Sequence, residues 1–250
     1  MLLTALDPRD GLLLIGLGLL LLGWLFHQEF GLETTFLVSW GRSILQMLGL
    51  ALTLALALSF QSPWVNGLTI ALVAGLWSIK LHRSFDRRLP PLLLLGLLLR
   101  GLLVPWAYGL LVVVRPSSGL AGPEALILAW GGLGLVAPLG EQAGLSLLQT
   151  FQRDRGDLET RLSLGATPRQ ALAPHRRQVL RQTLLPQLQS LGQLGLLVLP
   201  PLFGGLVLAG VDPVTALIYQ LLLLLLGLLG GVLGATAIVD ALINRWDGVA

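Results

Sequence analysis

Long apolar segments separated by short polar ones dominate the chain, and the apolar segments show no polar face. Residues 91–99 and 221–226, for example, contain almost only aliphatic side chains and glycine. Strands of a membrane barrel would alternate between apolar and polar positions, and a surface helix of a soluble protein would keep one polar stripe. Because a lipid-exposed backbone must satisfy its own hydrogen bonds, these segments are expected to be helices. The pattern therefore predicts an all-α, polytopic membrane protein.

A helix needs roughly 20 apolar residues to cross a bilayer, and this length predicts about seven transmembrane helices. They form a single transmembrane domain over residues 1–250. The predicted spans are residues 11–26, 35–60, 64–80, 91–114, 123–150, 190–210 and 213–243. Composition agrees, since only 12% of the residues are charged, against about 25% in soluble domains.

The distribution of arginine predicts how the chain is oriented. Basic residues are concentrated in the segments 80–88 and 151–189, which flank the fourth and fifth spans. Loops rich in Lys and Arg remain on the cytoplasmic side, so we expect the N-terminus outside and the C-terminus in the cytoplasm. The acidic segment 28–33 is the exception, but acidic residues carry little weight in this rule.

Several classes of function and site are disfavoured by the residues present. The chain has no cysteine, which excludes disulfides and thiolate metal sites. Its only lysine, Lys80, follows Ile79 rather than a P-loop glycine, so no ATPase site is expected on this chain. The three histidines lie in different loops and predict no metal site. The pI near 10.2 is explained by the cytoplasmic loops, so nucleic acid is not an expected partner. The N-terminus lacks a basic region and a cleavage motif, and the first span is expected to be retained.

The segment 151–189 contains local signals for two helices joined by a turn. Leu158 and Leu162 fall at helical spacing, and Gly165 interrupts the pattern. The following Thr-Pro-Arg-Gln sequence, residues 167–170, is typical of a capping box with proline at the first helical position. The segment is therefore predicted to be a helix–turn–helix lying against the membrane. It could be an interfacial anchor or a docking element for a partner.

Two groups of residues resemble a known family of transporters. Glu159-Thr160-Arg161 followed by Gly165 resembles the E-A-A-x-x-x-G coupling loop of ABC-transporter permeases, with Thr and Arg in place of the alanines. The sequences LSLGATPRQAL, starting at residue 162, and LPQLQSLGQLGLLVLPPLFGGLVLAGVDPVTALIYQ, residues 185–220, closely resemble the bacterial FetB-like permease family, which is associated with iron export. Ala137-Pro138 departs from that family's pattern.

This resemblance implies a permease subunit of an ATP-driven exporter in the bacterial inner membrane, with iron as the cargo. The implied assembly is a homodimer in the lipid bilayer with two copies of a separate ATP-binding subunit. ATP and Mg would bind to that subunit, and this chain would bind no cofactor. The residues that the resemblance assigns to ATPase coupling are Glu159, Arg161, Gly165, Thr167, Pro168 and Arg169.

Polar side chains within the spans are candidates for the transport pathway. Arg100 and Glu141 come at similar predicted depths, and an unpaired charge in lipid is costly, so the two are predicted to pair. The pair could either lock two helices together or line the path, and the polar amides could simply join helices by hydrogen bonds. The candidate pathway residues are Arg42, Gln46, Arg100, Glu141, Gln187, Gln193 and Gln220.

Three alternatives remain open at this stage. A permease of the same class could carry another cargo, such as a nucleotide sugar, since plant relatives of the family are linked to aluminium tolerance and UDP-glucose transport. A secondary transporter driven by an ion gradient is a second possibility, although no convincing internal repeat supports it. An intramembrane enzyme is the third, and no paired acids or nucleophile–base set supports that reading.

Overall fold

The computed structural model of the chain describes residues 8–29, 31–60, 62–116, 119–193 and 200–245. The described residues are almost entirely helical and include no strand, which confirms the predicted all-α class. The helices are α1 Pro8–His27, α2 Glu33–Phe60, α3 Pro63–Ser84, α4 Pro91–Tyr108, α5 Pro123–Arg153, α6 Arg155–Ser163, α7 Pro168–Leu191, α8 Pro201–Leu208 and α9 Pro213–Asn244.

Five helical segments are long and apolar enough to cross a membrane. They belong to α2, α3, α4 with its continuation, α5 and α9. The continuation of α4 is a π-helical segment, Gly109–Val114, which follows Pro105 inside the helix. From Gly109 onward the backbone changes from the i to i−4 hydrogen bonds of an α-helix to the i to i−5 bonds of a π-helix. Helix α1 is 20 residues long, and it includes the apolar segment Ile15–His27.

The sixth predicted span, residues 190–210, is not one continuous helix. Helix α7 continues to Leu191 and is followed by a turn, whereas α8 begins only at Pro201 and is eight residues long. Residues 194–199 lie outside the described residues. Pro200 and Pro201 occupy the N-cap and first position of α8, where proline starts a helix but cannot continue one from before. Apolar composition predicted one continuous span here, but the two prolines begin a new helix.

Helix α9 is the centre of the packing and lies against α5, α4, α7 and α8. Its contact with α4 is a close approach of two backbones at Gly101 and Gly230. A Cβ added at Gly230 would lie 2.7 Å from the carbonyl oxygen of Gly101 and 2.8 Å from a methyl group of Val136. Small residues permit such close helix crossings in membranes, where van der Waals packing rather than apolar burial drives association.

A wide apolar surface surrounds this packed centre. Leu68, Leu72 and Leu76 on one face of α3, and most large apolar side chains of α2, are exposed. An exposed apolar surface of this extent is typical of an interaction with lipid or with another protein chain. It agrees with a multi-pass membrane protein.

Candidate functional site

The turn between α6 and α7 has the local geometry that the sequence predicts. Gly165 has φ +89°, in the region that favours glycine. The hydroxyl of Thr167 accepts from the backbone N–H of Gln170, and the Gln170 side chain accepts from the backbone N–H of Thr167, which completes the capping box. Pro168 is the first residue of α7. The predicted helix, turn and second helix are therefore all present.

Helix α6 presents charged residues at the surface. Arg155 bonds Glu159 at 2.7 Å and Arg161 bonds Asp157 at 2.8 Å, both one helical turn apart. Exposed pairs of this spacing contribute only a few tenths of a kcal/mol each, roughly 0.3–0.5. Leu164, at the tip of the turn, is 83% exposed. The tip thus combines an exposed leucine with charges that a partner could rearrange at little cost.

The inner side of α6 and α7 is fixed to the rest of the protein. Leu158 and Leu172 are fully buried in the main hydrophobic core. His175 is largely buried, and its Nδ1 lies 3.5 Å from an oxygen of Asp154, at the end of α5. Its Nε2 lies 3.9 Å from Asp157 on α6. The two helices therefore dock on the end of α5 as a unit and do not hang as a free loop.

A bidentate ion pair joins α7 to the last helix. The guanidinium of Arg176 donates to both carboxylate oxygens of Asp240, from Nε at 2.6 Å and from Nη2 at 3.0 Å. The hydrogen bond to Asp240 raises the pKa of Arg176 above its ordinary value. One end of α7 adds a second contact, from Arg169 Nε to the side-chain oxygen of Asn244 at 2.8 Å. These four residues border a cavity of about 540 Å³ between α7 and α9, together with Arg177.

The prediction that Arg100 pairs with Glu141 is wrong. Glu141 instead accepts from Lys80 Nζ at 2.7 Å and from Ser84 Oγ at 2.8 Å. Among the described residues Arg100 has no ion pair or hydrogen bond, and its side chain is exposed on α4. The neighbouring Gly101 faces α9. Because consecutive residues point about 100° apart on a helix, Arg100 is turned away from α9.

Two other predicted pathway residues lie together. Arg42 and Gln46 on α2 face Trp77 and Lys80 on α3 across a groove of about 710 Å³. Trp130 of α5 also lines the groove, which is otherwise bordered mainly by aliphatic side chains. We call this cavity the α2–α3 groove. The Nζ of Lys80 lies 4.5 Å from the ring centre of Trp77, in a cation–π contact.

The predicted glutamines occupy different positions and do not form one site. Gln220 is buried on α9, and its side-chain oxygen accepts from the backbone N–H of Phe203, which fixes α8 to α9. Gln187, on α7, is half-buried, and its backbone carbonyl accepts from Ser190. Gln193 is exposed in the turn after α7. Gln220 thus has the interhelical role that polar side chains commonly have in membranes.

Several of the side chains that join these elements were not predicted. Lys80 and Ser84 are one turn apart on α3, so the sequence places them on one face, but it does not show that this face meets Glu141. Asp240 is an acidic residue in an otherwise apolar stretch of α9, and that contrast is the signal that could have singled it out. Within the described residues, no group of three or more His, Cys, Asp and Glu side chains could hold a metal ion.

Comparison with known proteins assigns the chain to a family. Residues 10–246 match the family described as UPF0014, an uncharacterised protein family. The chain is 31% identical over 239 residues to the UPF0014 membrane protein slr1647 of Synechocystis, covering 93% of this chain and 90% of that protein.

Shorter matches connect the chain to named relatives. It is 40% identical over 77 residues to the probable iron export permease protein FetB of Escherichia coli, which covers 31% of this chain and 30% of that protein. It is 40% identical over 70 residues to the UPF0014 membrane protein STAR2 of rice, covering 28% and 25% of the two chains. No solved structure matches. The match along nearly the whole chain shows that this protein belongs to the UPF0014 family of membrane proteins.

Proposed function

We propose that this chain is the permease subunit of an ABC exporter and that its cargo is iron. It would act as a homodimer in the bacterial inner membrane, with two copies of a separate ATP-binding subunit. The observation that carries the proposal is the α6–α7 helix–turn–helix, whose exposed tip is connected to the central helix α9 through Arg176 and Asp240. The chain itself would not hydrolyse ATP.

The tip of the helix–turn–helix has the properties of a docking element. Leu164 is exposed, and the charged side chains of α6 form weak pairs with one another at the surface. An ATP-binding subunit could cover Leu164 and exchange these weak surface pairs for its own. Glu159 and Arg161 would then contact the partner. Gly165, Thr167, Pro168 and Arg169 would hold the shape of the turn and the start of α7.

Movement of the partner would reach the membrane through the inner side of the same element. When two ATP-binding subunits close on ATP, they would displace α6 and α7 together, because both helices are fixed to the core. Arg176 and Arg169 would transmit the displacement to Asp240 and Asn244 near the end of α9. Since α9 packs along α4 and α5, its movement would change access between those helices.

The proposed orientation places this docking element in the cytoplasm, where ATP is available. The N-terminus would be outside and the C-terminus inside. The basic segments 80–88 and 151–189 support this assignment. Iron as cargo is supported by the partial match to the relative named as an iron export permease. Glu141 is the one acidic residue among the predicted pathway residues. It is paired with Lys80 and borders a cavity of about 360 Å³ with Gln142, Ser146 and Gln149.

Transport into inverted membrane vesicles tests the proposal. The chain is co-expressed with its candidate ATP-binding subunit, and vesicles with the cytoplasmic face outward are given radioactive ferrous iron with ATP or without it. We expect ATP-dependent accumulation that vanadate abolishes. Accumulation driven by a proton gradient without ATP would instead indicate a secondary transporter. ATP-dependent uptake of UDP-glucose, with none of iron, would assign the nucleotide-sugar cargo.

A matched pair of variants ties this transport to the proposed element. An ATP-binding subunit carrying a defective Walker-A lysine should reduce iron uptake to background. Arg161→Ala in the permease should lower the uptake while leaving the amount of permease in the membrane unchanged. Arg245→Ala, at the end of α9, is the matched control with no ion pair among the described residues, and it should transport normally. Equal uptake by all three preparations would exclude the proposed ATP-driven mechanism.

A further inference from the structure

The α2–α3 groove contains cationic and polar donors that the described protein residues leave without acceptors. Arg42 and Gln46 have no side-chain hydrogen bond or ion pair among the described residues. The Nε1 of Trp130 is buried and also lacks an acceptor there. Arg42 and Gln46, in contrast, are exposed on α2. The groove is therefore lined by exposed donors of Arg42 and Gln46 that are free to bind an acceptor from outside the described protein residues.

The groove carries a net positive charge. Arg42 and Lys80 contribute two cations, and Glu141, which pairs with Lys80 at 2.7 Å, neutralises one of them. An ammonium group has three donors, and the pair with Glu141 together with the face of Trp77 does not use all of them. An anion bound between Arg42 and Lys80 would therefore find direct donors from both sides.

The charges are at one end of the groove. Arg42 is 18 positions before Phe60, the last residue of α2, and Lys80 is 17 positions after Pro63, the first residue of α3. At about 1.5 Å per residue, both lie roughly 26–27 Å from the connection between the helices. The hydrocarbon core is about 30 Å thick, so this depth is near the opposite membrane boundary, at the level of lipid headgroups.

The other end of the groove is apolar and continuous with the exposed surface. Met47 and Leu50 of α2, and Leu72 and Leu76 of α3, line it and are exposed. The groove thus has donors and positive charge at headgroup depth and aliphatic side chains towards the middle of the bilayer. This arrangement matches the two parts of a phospholipid, namely an anionic headgroup and acyl chains.

We propose that the α2–α3 groove is a binding site for an anionic phospholipid. The lipid phosphate lies between Arg42 and Lys80, with the Gln46 amide as a further donor. The acyl chains lie along Leu50, Leu72 and Leu76. A soluble anion of the same phosphate chemistry would gain the charge contacts but would leave the apolar end of the groove uncovered.

Native mass spectrometry of the full-length protein, purified and delipidated in a neutral detergent, tests this site. Dioleoyl-phosphatidylglycerol is titrated against wild type, and dioleoyl-phosphatidylcholine and glycerol 1-phosphate are titrated in parallel. We expect tighter binding of phosphatidylglycerol than of either comparison ligand. Arg42→Gln should weaken phosphatidylglycerol binding at least about 10-fold, because it removes a charge-assisted hydrogen bond. Arg42→Lys should retain part of the affinity.

Matched variants separate this site from general attraction to charge. Arg100→Gln removes an exposed arginine from α4, outside the groove, and should bind phosphatidylglycerol as wild type does. The double variant Lys80→Gln with Glu141→Gln removes the second cation without leaving a lone carboxylate, and it should lower the affinity as Arg42→Gln does. Melting temperatures in detergent with phosphatidylcholine show that each variant is folded.

Three results would overturn the proposal. Equal weakening by Arg42→Gln and Arg100→Gln would mean that lipid follows overall charge. Glycerol 1-phosphate binding as tightly as the lipid would make the groove a site for soluble anions. If wild type binds no added lipid and Arg42→Gln dissociates a dimer, the groove is covered by a second copy of the chain. None of these results depends on which cargo the protein transports.

Discussion

Arg176 on α7 and Asp240 on α9 form a bidentate ion pair between residues that are 64 positions apart in the sequence. The pair connects the exposed helix–turn–helix with the helix that packs against most of the spans. Its side chains are 39% and 48% exposed, so solvent screens their attraction. In a pair this exposed, the geometry of the connection matters more than its contribution to stability.

Arg176→Met is therefore expected to impair coupling more than stability. The free energy of unfolding should fall by no more than about 1 kcal/mol, as for other exposed pairs. Transport should fall several-fold while the ATP-binding subunit still co-purifies, because the docking surface is unchanged. Arg181→Met, five residues further along α7 and without an ion pair among the described residues, is the control. Equal transport by the two variants would show that the pair transmits nothing.

The pair between Lys80 and Glu141 predicts a coupling in stability. Glu141 is only 17% exposed, so Lys80→Met leaves a largely buried carboxylate with Ser84 as its remaining partner. We expect a loss of about 1–3 kcal/mol, seen as a lower melting temperature in detergent. Adding Glu141→Leu should restore much of that loss, because no unpaired charge then remains.

Arg100→Leu is the control for the double-mutant cycle of Lys80 and Glu141. Combined with Glu141→Leu, it should give strictly additive changes in melting temperature, because Arg100 and Glu141 do not touch. A coupling between Arg100 and Glu141 larger than the coupling between Lys80 and Glu141 would contradict the observed pairing.

These two ion pairs show where sequence reasoning about the fold succeeds and where it stops. The apolar segments predicted helices because a backbone in lipid must form its hydrogen bonds internally, and an α-helix does so within each segment. Depth could be estimated from position along each span, and it brought Arg100 and Glu141 to similar levels. The direction in which each helix turns its side chains depends on packing. Gly101 meets α9, so Arg100 faces away, and α3 supplies the partner of Glu141.

In the candidate site, too, the local contacts could be predicted from the sequence and the long-range contacts could not. Thr167, Pro168 and Gln170 form their capping box through bonds within four residues, and the sequence was sufficient to predict it. The contacts of Arg176 with Asp240 and of Arg169 with Asn244 join residues far apart in the chain, and no local pattern indicated them. The sixth span was predicted from composition, and the prolines at positions 200 and 201 start a separate short helix there.

Gly165 should be needed for the shape of the turn. With φ +89° any other residue is strained, so Gly165→Ala is expected to cost about 1–2 kcal/mol locally and to reduce ATP hydrolysis stimulated by the permease. Gly156→Ala, within α6 and with no atom near its added Cβ, is the matched control. Alanine favours helix there, so this control should preserve activity. Stimulated hydrolysis that survives both changes would show that the turn geometry is dispensable.

The close crossing of α4 and α9 predicts a strong effect of a single methyl group. Gly230→Ala would place its Cβ 2.7 Å from the Gly101 carbonyl oxygen, so the helices must move apart. We expect a destabilisation of about 1–3 kcal/mol, measured as a lower melting temperature in detergent. Gly96→Ala on α4, where the added Cβ meets nothing, should leave the melting temperature unchanged or higher. Identical melting temperatures for the two variants would contradict the crossing.

The most direct test of the proposed function asks whether the tip of the helix–turn–helix touches an ATP-binding subunit. A photo-reactive amino acid replaces Leu164 at the tip or, as the control, Val214, which is 64% exposed at the start of α9. Both variants are co-expressed with the candidate ATPase and irradiated in membranes. We predict a permease–ATPase cross-link from position 164 that changes in yield when vanadate traps the nucleotide, and none from position 214. No cross-link from position 164, in membranes where both proteins are present and transport is active, would contradict the account.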